Sequence, residues 1–191
     1  MLKAVNICKS FGKELIVLEN FSYEFAEGKT TAILGKSGCG KSTLLNILMG
    51  LLPPDSGEAV LPENCRISAV FQENRLCENL TAAANVRLVT GKRLSENEIS
   101  AEFEKVGLAD CSNKPVRELS GGMKRRTALL RALLAVYDIL FLDEPFKGLD
   151  GDTKQMVMRY CKEKTYGKTV LFVTHDEQEC LFLADDILRF E

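Results

Sequence analysis

The run Gly35-Lys36-Ser37-Gly38-Cys39-Gly40-Lys41-Ser42-Thr43 has residue types and spacing suited to holding a polyphosphate. Glycines at 35, 38 and 40 let the backbone wrap tightly, so that successive N–H groups point at one anion. A helix starting at Lys41 adds the free N–H groups of its first turn. The pattern is G-x-x-x-x-G-K-[ST], in which Lys41 reaches the terminal phosphates and Ser42 holds a magnesium ion. Out of context the same glycines describe a surface loop. Here the apolar stretch Thr30 to Leu34 reads as a buried strand leading in, and Lys41 to Met49 has helical spacing leading out. That context favours the nucleotide site.

Four further groups fit the same chemistry. Ile139-Leu140-Phe141-Leu142 is an apolar run ending in Asp143 and Glu144. A buried strand there delivers Asp143 to the metal edge of a phosphate site and sets Glu144 to orient and polarise a water. The plainer alternative is a pair of acids in a strand-end turn. His175, the only histidine, follows the apolar run Val170 to Val173 and Thr174, where it can contact a γ-phosphate. Gln72 follows Ile67 to Phe71 in the same manner. Leu119-Ser120-Gly121-Gly122 precedes a helical stretch. Ser120 can be a simple N-cap with the glycines as a turn, or the bare glycines can form an anion-binding nest. Lys124, Arg125 and Arg126 that follow also read as a solvated charge run.

Around these groups the chain alternates strand and helix. Phe21, Tyr23 and Phe25 fall on one face of a strand, with Ser22, Glu24 and Ala26 on the other. Gly57 to Leu61 and Ile67 to Phe71 read as strands. Thr81 to Val106 is helical, with Ser95 and Glu98 spaced as a capping box. A long helix fits Gly121 to Val136. Strand, helix, strand, helix and strand follow, over Ile139–Leu142, Thr153–Lys164, Thr169–Val173, Glu177–Ala184 and Ile187–Phe190. This order predicts an α/β fold with a mostly parallel sheet and an antiparallel β portion at the N-terminus. The helical section of about 73–118 reads as a subdomain inserted in one domain, 1–191.

The chain has 191 residues and is 46% hydrophobic, enough for one substantial core. A formal net charge of -2 gives no reason to expect a nucleic-acid partner. No stretch is long and apolar enough to cross a bilayer; the best, Leu129 to Leu142, is broken by Arg131 and Asp138. Met1-Leu2-Lys3-Ala4-Val5 reads as a strand start and not as a signal peptide. The seven cysteines are scattered without a CxxC pair, which argues against a disulfide framework or zinc site and suits a reducing cytoplasm.

Taken together, these motifs resemble the nucleotide-binding domain of ATP-binding cassette (ABC) transporters, over about Met1 to Glu191. Leu119-Ser120-Gly121-Gly122 is similar to the family signature and falls in the family's order, between the phosphate loop and the acidic strand. The resemblance implies ATP and Mg2+ as ligands, with the core fold of the P-loop nucleotidases. It implies a homodimer in the ATP-bound state, in which Ser120, Gly121 and Gly122 of one copy close over ATP held by the other. Gln72 looks like the family's Q-loop glutamine, which senses magnesium and water and touches the membrane partner. Asp150, in Gly148-Leu149-Asp150, looks like the D-loop residue that crosses the dimer interface. His175 looks like the switch histidine, and Phe11 stands where the family often stacks an aromatic on adenine, the alternative being plain strand packing.

Glu144-Pro145-Phe146-Lys147-Gly148-Leu149-Asp150, Val70-Phe71-Gln72-Glu73-Asn74-Arg75-Leu76 and Thr169 to Asp176 are most similar to importer ATPases of the nitrate, sulfonate and taurine group. That likeness implies ATP hydrolysis coupled to solute import. It also implies integral membrane permease subunits, an extracytoplasmic solute-binding protein, and a peripheral place on the cytoplasmic face of the membrane. Lys36 stands where that group often has proline, and the helical lobe is short. The chain ends soon after His175, where such importers commonly continue. A cassette in DNA repair or translation is the alternative from another class, but the chain has no long coiled-coil insertion and only one cassette. A non-hydrolysing scaffold fits poorly with Glu144 and His175 both present.

Overall fold

The computed structural model describes residues 1–12 and 15–190. Lys13, Glu14 and Glu191, within the expected 1–191 domain, lie outside the described residues. Strands β1 (Leu2–Phe11) and β2 (Leu15–Phe25) pair antiparallel. After β3 (Thr30–Gly35) and helix α1 (Lys41–Leu48), β4 (Ser56–Val60) adds to the other side of β1, giving a sheet of order β2-β1-β4. As the alternation predicts, Phe25 is buried and Tyr23 packs edge-on against it, while Ser22 and Glu24 face out.

The second sheet is parallel. It comprises β3, β5 (Ile67–Val70), β6 (Ile139–Asp143), β7 (Thr169–Thr174) and β8 (Asp186–Phe190), in the order β5-β6-β7-β3-β8. All residues of β6 and β7 are buried, so these strands read as continuous apolar runs, as strands covered on both faces must. Their two faces are distinct. Leu140, Leu142, Val170 and Phe172 join one apolar cluster with helices, and Ile139, Phe141, Leu171 and Val173 join another with α1 and the antiparallel sheet. The period-two alternation of a strand therefore divides the core into two halves.

Between β5 and β6 run α2 (Ala82–Thr90), α3 (Glu96–Lys105) and α4 (Gly121–Leu133), with two short 3-10 turns between α3 and α4. The single helical pattern expected over Thr81 to Val106 is in fact two helices. Gly91, at φ 55°, ends α2 by a turn that an L side chain resists, and Ser95 restarts the chain as the N-cap of α3. The Ser95–Glu98 capping box is present in both directions. α4 stops at Leu133, short of the expected Val136. Helices α5 (Gly151–Thr165) and α6 (Glu177–Leu183) complete the α/β alternation. Among the described residues no helix is long and apolar enough to cross a membrane.

Val86, Ile99 and Phe103 of the helical segment share one buried cluster with Leu140 and Phe172 of the sheet. The segment and the sheet should therefore unfold together. Phe103→Ala and Phe141→Ala, each emptying a fully buried site, are expected to destabilise the chain by about 3–5 kcal/mol. Urea unfolding should report each as a shift of one shared transition. A Phe103→Ala protein that melts in two steps, with the sheet unaffected, would contradict this packing.

Candidate functional site

Parallel pairing of β3, β7, β6 and β5 aligns their C-terminal ends. Leu34 pairs with Thr174, Val173 with Asp143, and Leu142 with Val70. The residues that follow each strand, the 35–40 loop, His175, Glu144 and Gln72, thus arise along one edge. This is the edge at which open α/β sheets bind ligands. There they line a cavity of about 630 Å³ together with Phe11, Val17, Lys147 and the start of α1.

The 35–40 loop is shaped by its glycines. A Cβ on Gly40 (φ 99°) would stand 2.6 Å from Val17 Cγ1, and one on Gly35 would stand 2.5 Å from the Phe190 carbonyl oxygen. Neither position has room for a side chain. Gly40 is the N-cap of α1 and offers no side-chain cap, and no acidic residue stands in the first turn. The free N–H groups of that turn are therefore available to an anion. Lys41, only 5% exposed, donates to the Gly35 and Lys36 carbonyls at 2.7 and 2.6 Å. The loop thus folds around its own ammonium, which sits where phosphate charge would be neutralised.

The acidic pair differs in environment. Asp143 is buried, and its Oδ1 has no hydrogen-bond partner among the described residues. Burial raises its pKa above the ordinary carboxylate value. Neighbouring Glu144 adds to that rise, while the Ser42 hydroxyl, Arg125 and Lys41 oppose it. An orphaned buried carboxylate oxygen beside a serine hydroxyl suits a hard cation with oxygen ligands. Asp143 and Ser42 stand side by side with oxygen donors of the kind that suits Mg2+, and Gln72 belongs to the same cavity lining as Ser42. No group of three or more His, Cys, Asp or Glu able to hold a metal occurs among the described residues, so phosphate and water would have to complete the shell.

Glu144 adopts φ 49°, in the left-handed region that costs a non-glycine residue about 1–2 kcal/mol. Its backbone N–H is fixed by the Val173 carbonyl at 3.0 Å. Its Oε1 lies 2.9 Å from Nδ1 of the exposed His175. A carboxylate and an imidazole are thereby paired at the rim of the cavity, opposite the Lys41 loop.

The charge-run reading of Lys124, Arg125 and Arg126 is overturned. Arg125 is 4% exposed, and its guanidinium donates to the carbonyls of Phe71, Asp143, Glu144 and Pro145. Burial lowers its pKa to about 10. Arg126 donates to the Val106 and Gly107 carbonyls, and Lys124 pairs with Glu78 at 2.9 Å. A sequence does not reveal a buried arginine whose partners are backbone carbonyls distant in the chain. Lys147, another cavity residue, also carries no motif of its own.

Of the residues picked from sequence, Phe11, Ser37, Gly38, Gly40, Lys41, Ser42, Thr43, Gln72, Glu144 and His175 line the cavity. Gly35 and Cys39 face a second opening of about 670 Å³ bounded by Phe190 and Arg189. Asp143 lies beneath the floor, beside Ser42. Ser120, Gly121, Gly122 and Asp150 do not reach the cavity. Ser120 caps α4 through the Met123 N–H, and Asp150 caps α5 through the Thr153 N–H at 3.0 Å. Both cap residues are exposed, and Gly122 lies against Gly148 and Leu149.

The chain is similar to known proteins along nearly its whole length. Residues 18–147 match the family described as ABC transporter. The chain is 38% identical over 202 residues to the aliphatic sulfonates import ATP-binding protein SsuB 1 of Pseudomonas aeruginosa, covering 98% of this chain and 81% of that protein. It is 35% identical to the taurine import ATP-binding protein TauB of Ruegeria pomeroyi, covering 93% of this chain and 71% of the relative. Among solved structures, the dimeric ATP-binding cassette MJ0796 in a post-hydrolysis state with ADP and Pi superposes with a TM-score of 0.86 at 30% identity, covering 100% of this chain and 94% of that one. These names lend no support to a repair or translation role.

The loop geometry generates a direct test. Lys41→Ala should weaken MgATP binding by about tenfold or more, the worth of one charge-assisted hydrogen bond. Isothermal calorimetry on the folded variant measures it, and unchanged affinity would remove Lys41 from the site.

Proposed function

The chain belongs to the ABC transporter family, and from that premise we propose that it is the ATP-hydrolysing subunit of an importer. The observation that carries the reading is the convergence of the Lys41 loop, Gln72 and the Glu144–His175 pair on one cavity. ATP would lie with its phosphates against the N-terminus of α1 and its adenine toward the exposed ring of Phe11. Gly35 and Cys39 would hold the back of the loop, and Ser37, Gly38, Gly40 and Thr43 would line the anion path. Lys41 would neutralise phosphate charge as it develops on the transferred group. Ser42, Asp143 and Gln72 would hold Mg2+, which neutralises the same phosphates when bound.

Glu144 is the residue set to align water for attack. Its carboxylate accepts a proton as the water's oxygen bonds to phosphorus and the bond to the ADP oxygen breaks. His175 holds that carboxylate through Nδ1, which leaves the other ring nitrogen free to meet the γ-phosphate. The products are ADP and phosphate.

One chain leaves Ser120, Gly121 and Asp150 exposed and Gly122 half-buried, all away from its own cavity. A second copy in head-to-tail contact would bring them over the nucleotide, and the dimeric state of the similar solved cassette supports that arrangement. ATP then closes the pair and hydrolysis reopens it, which gives transport a two-state element. The whole of 1–191 acts as one cassette, and the 73–118 lobe with Gln72 is the surface offered to permease subunits. Exposed Glu73, Asn79 and Leu80 lie there. The permease would hold the chain at the cytoplasmic face and receive solute from an extracytoplasmic binding protein. The uptake role of the sulfonate and taurine relatives supports import.

Glu144→Gln keeps the shape of the side chain but removes the base. Hydrolysis should fall by about 100-fold or more while MgATP still binds. The stalled ATP state should then accumulate as a dimer, because bound ligand stabilises the state it prefers. Turnover assays and light scattering with ATP and with ADP read both effects. Wild-type hydrolysis by this variant would remove Glu144 from the reaction, and a monomer at saturating MgATP would argue against a self-sufficient pair. Site-directed crosslinking from Glu73 or Asn79 to the co-expressed permease should give adducts; a stable complex without them would move the docking surface elsewhere.

A further inference from the structure

We propose that Arg125 is a positioning residue that holds Glu144 in its reacting orientation and locks it to the Gln72 loop and the signature helix. This rests on the role given above to Glu144. Three successive carbonyls, those of Asp143, Glu144 and Pro145, turn toward this one guanidinium. Successive carbonyls of a strand point in opposite directions, so they can converge only where the chain leaves the strand. The left-handed φ of Glu144 is that departure. It places the carboxylate beside His175 while its carbonyl accepts from Arg125 Nη2 at 2.7 Å and from the Lys147 N–H at 3.1 Å.

The same side chain reaches the other strand end. It donates to the Phe71 carbonyl, immediately before Gln72, and lies 3.4 Å from the Asn74 amide oxygen. Arg131, farther along α4, donates to the Asn74 and Arg75 carbonyls. Over 71–75 the loop carrying Gln72 is therefore held by two arginines of α4, while Asn85 of α2 holds it farther on at Cys77. α4 begins at the signature cap Ser120. One rigid helix thus presents Ser120 to Gly122 at the surface and, about a turn and a half later, Arg125 to the water-aligning glutamate. A shift of the signature helix is felt at Glu144 and Gln72 through a planar fork that lysine cannot reproduce.

The test compares Arg125→Met, Arg125→Lys, Glu144→Gln and the Arg125→Met/Glu144→Gln double variant of the whole chain. MgATP turnover is measured against nucleotide concentration, MgATP binding by calorimetry, and folding by thermal melting. Arg125→Met should lower kcat by about 10- to 100-fold, the cost of a misplaced catalytic group. MgATP affinity should stay within about twofold, because Lys41 and its loop are untouched. Arg125→Lys should recover part of the loss. The double variant should hydrolyse no more slowly than Glu144→Gln, since a residue acting through another is not additive with it. Should Arg125→Met fail to fold, the kcat of Arg125→Lys at unchanged affinity decides. The proposal is overturned by an unchanged kcat in a folded Arg125 variant. Affinity falling in step with kcat, or losses that multiply in the double variant, would also overturn it. Glu144→Gln with wild-type turnover would instead defeat the role of Glu144, a separate result.

Discussion

The parallel pairing of β5, β6, β7 and β3 leaves four strand ends side by side, and carbonyls at such ends need partners as the chain leaves the sheet. Two buried cations fill that role. Lys41 takes the carbonyls of Gly35 and Lys36, at the end of β3. Arg125 takes those of Phe71 and of Asp143 to Pro145, at the ends of β5 and β6. Both are at most 5% exposed, so each must be paired, and each finds its pairing in backbone dipoles rather than in a carboxylate. The edge thereby holds two cations close to the Asp143 and Glu144 carboxylates, with their donors given to backbone carbonyls. An edge built this way is predisposed to receive a polyanion.

The acids of the edge divide by their surroundings. Asp143 is enclosed and holds an oxygen without a partner, so its charge is complete only with a cation. Glu144, one residue on, is turned by its left-handed φ toward His175 and the open cavity. In a regular strand, neighbouring residues already point to opposite faces. The break at Glu144 modifies this so that both carboxylates serve the same cavity, one from below and one from the rim. A second network follows the same logic behind β7. Buried Glu179 accepts from the Thr174 hydroxyl at 2.6 Å and pairs with Lys154 at 2.5 Å, while Lys154 also holds Asp176 at 2.6 Å. The residue after His175 is thus tied to α5, whose cap is Asp150.

Much of this was legible because the information is contiguous. The phosphate loop declares itself by glycine spacing, and β6 and β7 by unbroken apolar runs ending in polar residues. The Ser95–Glu98 box was readable because a cap is decided within four residues. Where the sequence misled, the deciding contact was distant. Thr81 to Val106 keeps a helical apolar pattern through the break at Gly91, because both helices bury their faces against the same core. Arg125 sits in a basic run at a helix start, where local reading favours solvent. Its burial follows from carbonyls 18 to 54 residues away, which no local pattern can report.

The placement of the signature residues carries the remaining step. Ser120 and Gly121 are exposed, and the caps of α4 and α5 stand at the surface with no ligand-facing partner of their own chain. A helix start with bare glycines can receive an anion, yet these glycines stand apart from the cavity that the 35–40 loop and Glu144 line. Two half-sites on one rigid body, facing different ways, are satisfied together only by a second copy. In the proposed two-fold pair each signature would meet the other copy's loop, so both nucleotides would become part of the contact. Under that arrangement Arg125 would give the contact a consequence, because the helix meeting the second copy's nucleotide would also fix the glutamate facing its own. Closure and hydrolysis would then be mechanically linked through α4, and the two cavities of such a pair would not act in isolation.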